Sequence, residues 1–387
     1  MIIHFVKDEK IIDQIIENFL LVSQHNVFLV FSNDDTGNFK HISFNDEAII
    51  KAYNIKRDDI NEVLIMNEAQ AIVLHSLDYL FTKVIDKINI DIRIAWIAWG
   101  FEIYMHPKNR RNLYAKKTKQ FLIQKRPLVL LKWHLTKWNY LRFVTNNVLN
   151  LTNSYIDLQE KSFKRIHFLA TYIYEDYVFF KNLFPHTNLS YHEVAFSTIH
   201  QYLAGTKDLK IDGKARNILV GNSNSLESNY LDAIDVLYGV KETGTIYFVL
   251  SYGNDPGHSR AVLKKGKKKL KGRFHPLLNF LDRAEYIKIL QSCSVGIFYH
   301  FRQQAMGNII AMLYMGARVY LSTKNPAYLY FKRSGIAIFN IENDFEIYGN
   351  RTLEVHEQIL NREKLEQMFS REKVIGDLYS LTMALLN

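Results

Sequence analysis

One cysteine, Cys293, stands in a chain of 387 residues. No intramolecular disulfide and no cysteine-built zinc site is therefore possible, and a reducing compartment is the natural setting. Six prolines and 17 glycines are too few for long disordered or collagenous tracts. No apolar run reaches the roughly 18 residues that a membrane span needs. The opening Met1–Val6 is apolar but meets charge at Lys7 and Asp8, too short a stretch for a signal-peptide core. The expectation is a non-secreted protein without a spanning helix, long enough to bury two cores.

Acidic residues are also missing, but only locally. Residues 108–142 hold eleven Lys and Arg and no acid, and residues 264–273 hold seven more and no acid. The whole chain carries +10, so outside these two segments it is at −8. Such localisation suggests contact with something anionic.

What is present is an alternation of short β-rich apolar runs with helical patterns. Strands are expected at Ile2–Val6, Val27–Phe31, Val63–Met66, Ala71–His75, Ile92–Ala98 and Ile166–Ala170, with helices near Glu9–Leu21, Leu77–Ile88 and Tyr172–Leu183. A polar stretch around Gly205–Lys214 reads as a linker. The alternation then restarts with strands at Asn217–Val220, Thr245–Leu250, Val295–Tyr299 and Arg318–Leu321. Helices fall at Ser228–Leu237, Asp282–Ser292 and Gln304–Met315, and Arg362–Leu386 also reads as helical. Asp282 with Glu285 forms a box-like cap. This is the pattern of parallel α/β sheets. The division reads as an N-terminal domain 1–204, a linker 205–216, a second domain 217–361 and a helical segment 362–387 able to pack back on the first domain.

Three motifs carry chemistry. Gly221-Asn222-Ser223 ends a strand before a helix, where glycine permits close backbone approach and a helix start offers N–H groups to a phosphate. The same residues could simply cap the helix. The run His300-Phe301-Arg302-Gln303-Gln304-Ala305-Met306-Gly307-Asn308 lies at the carboxyl end of a strand, where open α/β sheets bind ligands. Arg302 can grip a phosphate, Gln303 and Gln304 can read a base or sugar hydroxyls, and Gly307-Asn308 can approach a diphosphate. Trp99-Gly100-Phe101-Glu102 follows another strand, with Glu102 a candidate base or hydroxyl ligand and Trp96 fitting a buried aromatic corner. His75 ends a strand and is either catalytic or structural. Asp34-Asp35 and Asp58-Asp59 read as loop acids or caps, and no metal site is apparent.

In 108–142, Lys116, Lys117, Lys119, Lys125 and Arg126 alternate with aromatic and aliphatic residues, and Pro127 splits the segment into two helical pieces. That suits an anionic membrane surface. It would also suit RNA, or be a solvated face over an ordinary core. The run 264–273 is expected to be a mobile loop.

Taken together, these residues resemble the enterobacterial TDP-N-acetylfucosamine:lipid II N-acetylfucosaminyltransferases of glycosyltransferase family 56. The resemblance rests on Ile218–Ser223 followed by Ser228-Asn229, and on Arg302-Gln303-Gln304 with Gly307, Gly316 and Asn325-Pro326. It extends to Trp99-Gly100 with Glu102 and Tyr104, and to His75. The sequence departs from the family pattern at Tyr230, at Ala305 where the family has Gly, after Gly253, and at 264–271. The resemblance implies a GT-B fold, two Rossmann-like domains facing across a cleft, with donor nucleotide-sugar in the C-terminal one. It implies a hexosyltransferase moving 4-acetamido-4,6-dideoxygalactose from a TDP-sugar to an undecaprenyl-diphosphate-linked saccharide, without a metal or other cofactor. The implied location is the cytoplasmic face of the bacterial inner membrane, peripherally bound, with no nucleic acid partner.

On that basis Gly221, Asn222, Ser223, Gly253, Arg302, Gln303, Gln304, Gly307 and Asn308 are the expected donor residues. Trp99, Gly100 and Tyr104 are expected on the acceptor side, with Glu102 and His75 the candidates for catalysis. A retaining reaction would need no dedicated base, and an inverting one would draw it from Glu102 or His75. The rivals are a non-catalytic RNA- or polyanion-binding protein and a nucleotide-sugar epimerase of the same fold.

Overall fold

The computed structural model describes all residues except 32–38, 45, 139, 143, 145–153, 204, 206–208, 241–243 and 254. Asp34-Asp35 and part of the linker therefore lie outside the described residues. The chain forms two compact units, neither of them continuous in sequence. The first comprises Met1–His106, Trp138–Gln201 and Phe369–Asn387, the second Pro107–Lys137 and Tyr202–Met368. A single division near residue 204 misses that 107–137, most of the basic segment, belongs to the second unit, whereas the last helix, Arg371–Leu386, groups with the first unit, in line with a C-terminal segment that packs back on it.

The first unit is built on β1 (Ile2–Val6), β2 (Asn26–Phe31), β3 (Ile50–Tyr53), β4 (Ala71–His75), β5 (Arg93–Ile97), β6 (Phe168–Ala170) and β7 (Ser190–His192). All pairings are parallel, in the order β3-β2-β1-β4-β5-β6-β7. β1, β2 and β4 are buried at every position, as strands covered on both faces must be. The helix Ile12–Val22 buries Ile12, Ile15, Ile16 and Phe19, a single stripe at helical spacing.

The second unit repeats the plan with β8 (Asn217–Val220), β9 (Ile246–Val249), β10 (Phe274–Leu277), β11 (Cys293–Phe298), β12 (Arg318–Leu321) and β13 (Phe339–Asn340). The order is β10-β9-β8-β11-β12-β13, again all parallel. Ile218, Val220, Ile234, Phe248, Val262, Val295 and Ile297 belong to its core. In both sheets the winding reverses beside the first strand, and a crevice opens beyond the strand ends at such a reversal. In the second unit that point lies between β8 and β11.

Two expectations are corrected. Val63–Met66 is not a strand but the end of the helix Ile60–Met66, whose start is capped by Asp59 accepting from Asn61 N at 2.9 Å. Ile60 and Leu64, four apart, are its buried face, while Ile65 and Met66 point to solvent. The lysine run is not a loop but the back of the helix Pro256–Leu270. Its buried stripe is His258, Val262, Gly266 and Leu270, and only two of these are bulky aliphatics, so the apolar period was hidden. A Cβ at Gly266 would come within 2.4 Å of the Phe274 ring. Lys265 and Lys269 both reach Asp235, at 2.8 Å each. Asp282 caps its helix as expected, accepting from Glu285 N at 2.9 Å.

Candidate functional site

In the second unit, the residues after β8 and those after β11 meet. Gln304 Nε2 donates to Asn222 Oδ1 at 3.0 Å and to Ser223 Oγ at 3.2 Å. The hydroxyls continue inward, Ser225 lying 3.2 Å from Ser228, and Ser228 Oγ donating to the Ser223 carbonyl at 2.9 Å. Gln304 Oε1 is buried and has no partner among the described residues. The two loops thus form one polar wall at the winding reversal.

Arg302 stands half-buried on this wall, and its Nη1 donates to the Gln303 carbonyl at 3.0 Å. Gln303 itself is buried. Next comes Ala305, in the left-handed region at φ +65°, and then the helix Met306–Met315 with no side-chain cap. A helix start without a side-chain cap favours an anion. Gly307, on the first turn, is exposed, and a Cβ there would meet nothing within 4 Å. Asn308 Nδ2 instead donates to Tyr286 OH at 2.9 Å, so Asn308 is held by the helix Arg283–Ser292. His300, fully buried, lacks a partner for either ring nitrogen among the described residues. Burial first, then the nearby Arg302 charge, lowers its pKa to about 3.

Two expected donor glycines have other reasons to be glycine. Gly221 lies at φ +64°, its N–H donates to the Ile297 carbonyl, and a Cβ would collide with the Tyr230 hydroxyl and, at 2.5–2.7 Å, with its ring. Gly253, exposed at φ +97°, would place a Cβ 3.0 Å from the Asn224 carbonyl oxygen. Both shape the loops from behind.

In the first unit, the strand ends of β4 and β5 gather around Glu102. Its Oε1 accepts from Trp99 N at 3.0 Å, Trp96 Nε1 at 3.1 Å and Leu77 N at 3.3 Å. Its Oε2 is buried with no partner among the described residues. Burial raises the carboxyl pKa against these bonds. Gly100, at φ +90°, makes the turn that folds Glu102 back under Trp99. Trp99 is partly exposed and Trp96 fully buried.

Tyr104 is buried, stacked on Phe179, and its hydroxyl donates to Asp176 at 2.5 Å. It supports the site from the core and offers no face to an acceptor. Asp176 was not legible in the sequence, where it is one acid in an ordinary helix. Burial pushes its pKa to about 7.

His75 faces the core rather than the strand-end crevice. It lies 2% exposed, 3.0 Å from His4, which in turn lies 3.0 Å from Asn26 Oδ1. Asn26 Nδ2 donates to two carbonyls, so its Oδ1 takes the His4 Nε2 proton. His4 Nδ1 is then the acceptor and His75 Nε2 the donor. Burial holds both rings neutral, His4 down to about 4.

The basic segment supplies two helices, Lys116–Lys125 and Pro127–Leu135. Lys116, Lys117, Lys119 and Lys125 are exposed, as are Ile123, Leu128, Val129 and Leu131. Arg126 is not part of that open face: its guanidinium forms an ion pair with Asp255, one bond at 2.8 Å. Among the described residues no helix is long and apolar enough to cross a membrane, and no three His, Cys, Asp or Glu gather as a cation site.

Solved structures share this fold over essentially the whole chain. A glycosyltransferase from Rickettsia africae ESF-5 superposes with a TM-score of 0.61 at 12% identity, covering 100% of this chain and 98% of that one. Trehalose-6-phosphate synthase from E. coli, bound with UDP-2-fluoro glucose, gives 0.63 at 10%, covering 100% and 99%. Sucrose-phosphate synthase from Thermosynechococcus elongatus gives 0.60 at 10%, covering 99% of each chain. The likeness is one of fold, the GT-B fold of two parallel-sheet units. A family model, described as 4-alpha-L-fucosyltransferase glycosyl transferase group 56, matches residues 164–376, which takes in Gly221–Ser223, Gly253 and Arg302–Asn308 and leaves Glu102 and the basic helices outside. That match spans more than half of the sequence, and the chain belongs to this glycosyltransferase family.

Proposed function

We propose that the wall between β8 and β11 binds the diphosphate of a TDP-linked deoxyamino sugar, with 4-acetamido-4,6-dideoxygalactose the sugar transferred. The observation that carries this is the juxtaposition of Arg302 with the uncapped, sterically open start of the helix Met306–Met315. A guanidinium and free helix N–H groups are the pairing that meets a leaving diphosphate without a metal. Asn222, Ser223 and Gln304 supply hydroxyl and amide groups for the sugar or base. Glu102, with one oxygen engaged three times and the other buried and bare, is the carboxyl that would take or steer an acceptor hydroxyl proton. The acceptor is a polyprenyl-diphosphate-linked saccharide. The exposed Lys116, Lys117, Lys119, Lys125, Leu128 and Leu131 suit a peripheral position on an anionic leaflet, the cytoplasmic face of the inner membrane.

The donor reading is tested by calorimetry with TDP, UDP and GDP on the native protein and on Arg302→Ala. Loss of one charge-assisted contact is about 1.5–3 kcal/mol, tenfold or more in affinity. Equal TDP affinity for both proteins would remove Arg302 from the site. Steep salt-dependent RNA binding without nucleotide affinity would instead favour the polyanion-binding alternative.

A further inference from the structure

We propose that the segment 107–137 is a strap that positions the two donor-side loops, with Asn229 as the residue that joins them. Asn229 is fully buried and left-handed, at φ 48° and ψ 36°, a conformation asparagine tolerates well. Its side chain makes bonds in three directions. Nδ2 donates to the Leu113 carbonyl at 3.1 Å and to the Tyr299 carbonyl at 2.9 Å, and Oδ1 accepts from Ala115 N at 2.8 Å. One amide thereby ties the strap to the loop after β8, on which Asn229 sits, and to the loop after β11, three residues before Arg302.

The strap's other fastenings fall on the loop after β8, on the first turn of the helix Tyr230–Tyr238 that follows it, and on the start of the helix after β9. Tyr114 OH donates to Glu227 Oε1 at 3.0 Å. Asp232 accepts from Lys117 N at 2.7 Å and from Thr118 N and Oγ1 at 2.9 Å each. It thus caps a helix whose own cap position, Ala115, has no side-chain acceptor. Arg126 reaches Asp255, which begins the helix after β9 and accepts from His258 N at 2.9 Å. Residues 227, 229, 232 and 255 are the stretches flanking Asn222–Ser225 and Gly253. The strap is fastened where loop position matters to a ligand, and a loop misplaced by an ångström loses binding energy far from the altered residue.

This inference rests on the reading that the donor diphosphate binds at these loops, so Arg302→Ala is measured alongside. The test uses the full chain, TDP titrated by calorimetry, and separate KM values for donor and acceptor. Asn229→Asp keeps the Oδ1 acceptor and a left-handed-tolerant residue but removes every Nδ2 donation, the local one to the Glu227 carbonyl at 3.3 Å included. TDP affinity is expected to fall at least tenfold and donor KM to rise with it, while acceptor KM stays within twofold. Arg126→Gln, at a partly exposed position, breaks the far fastening and is expected to weaken TDP at least threefold with unchanged near-ultraviolet dichroism. A role confined to folding would lower the melting temperature and leave the affinity of the folded molecules intact. Folded Asn229→Asp with native TDP affinity overturns the proposal, and should that variant not fold, native affinity in Arg126→Gln overturns it. If Arg302→Ala also retains native affinity, the donor reading has failed as well.

Discussion

Replacing Glu102 by Gln separates a chemical role from a structural one. The structure gives Oε1 three donors, the N–H groups of Leu77 and Trp99 and the Trp96 indole. Gln keeps that oxygen, so all three bonds survive, and its amide takes the place of the buried Oε2. Glu102→Ala removes the shared acceptor and strands three donors, two of them on the backbone. At about 1–3 kcal/mol for each of the three buried donors left unsatisfied, Ala should cost roughly 3–9 kcal/mol. Gln should cost under about 1 kcal/mol, and it also relieves the burial of a charge. Denaturant titration reads these two numbers. Turnover then reads the chemistry: a base or proton carrier lost in Gln lowers kcat by about 10²–10⁴ with donor affinity intact. A Gln variant of native stability and near-native kcat would refute the catalytic assignment. A Gln variant as unstable as Ala would refute the hydrogen-bond account itself.

The His4–His75 pair makes stability fall with acid. His4 titrates at about 4 when folded against an unfolded value near 6.5, so stability present above 6.5 is lost as pH falls toward 4, by about 3 kcal/mol. His4→Gln should flatten that slope, and equal slopes in the two proteins would contradict it. Gly221→Ala meets the Tyr230 hydroxyl, its ring at 2.5 Å, and a positive φ; denaturant midpoints should report a loss of roughly 2–5 kcal/mol. The loss should shrink when Tyr230→Leu is combined with it, and a fully additive pair would disprove the contact. Leu128→Gln with Leu131→Gln should leave the melting temperature unchanged. Partition onto anionic vesicles should drop about a hundredfold, from roughly 1.5 kcal/mol per exposed leucine, and undiminished sedimentation would discard the membrane face.

Much of this architecture was legible because parallel strands are continuous apolar runs. Ile2–Val6, Ala71–His75 and Asn217–Val220 announce themselves, and their order placed Arg302 and Glu102 at strand ends. What failed was pattern diluted by polar residues. The helix Pro256–Leu270 hides behind lysines, although Asp255-Pro256 is a helix-start signal. Within Val63–Met66 Leu64 is buried while Ile65 and Met66 are exposed, so an unbroken apolar run stood for one helix position facing the core. His75 and Tyr104 share sequence neighbourhoods with the site yet turn into the core, because side-chain direction along a strand or a one-turn helix is decided by packing. Asp176 gave no local sign, and Asn229 entered only as part of the Ser228-Asn229 resemblance with no sign of what it ties, since the partners of both are distant in the chain.

The discontinuous second unit constrains how such a chain can recombine. An exchange at residue 202 with a relative would deliver a new second sheet but retain the recipient's 107–137. The incoming Glu227, Asn229, Asp232 and Asp255 would then meet helices they did not diverge with. Hybrids should be productive when those four positions match the resident Tyr114, Ala115, Thr118 and Arg126, whatever the similarity elsewhere. The second unit would therefore travel in this lineage as two linked inserts rather than one cassette.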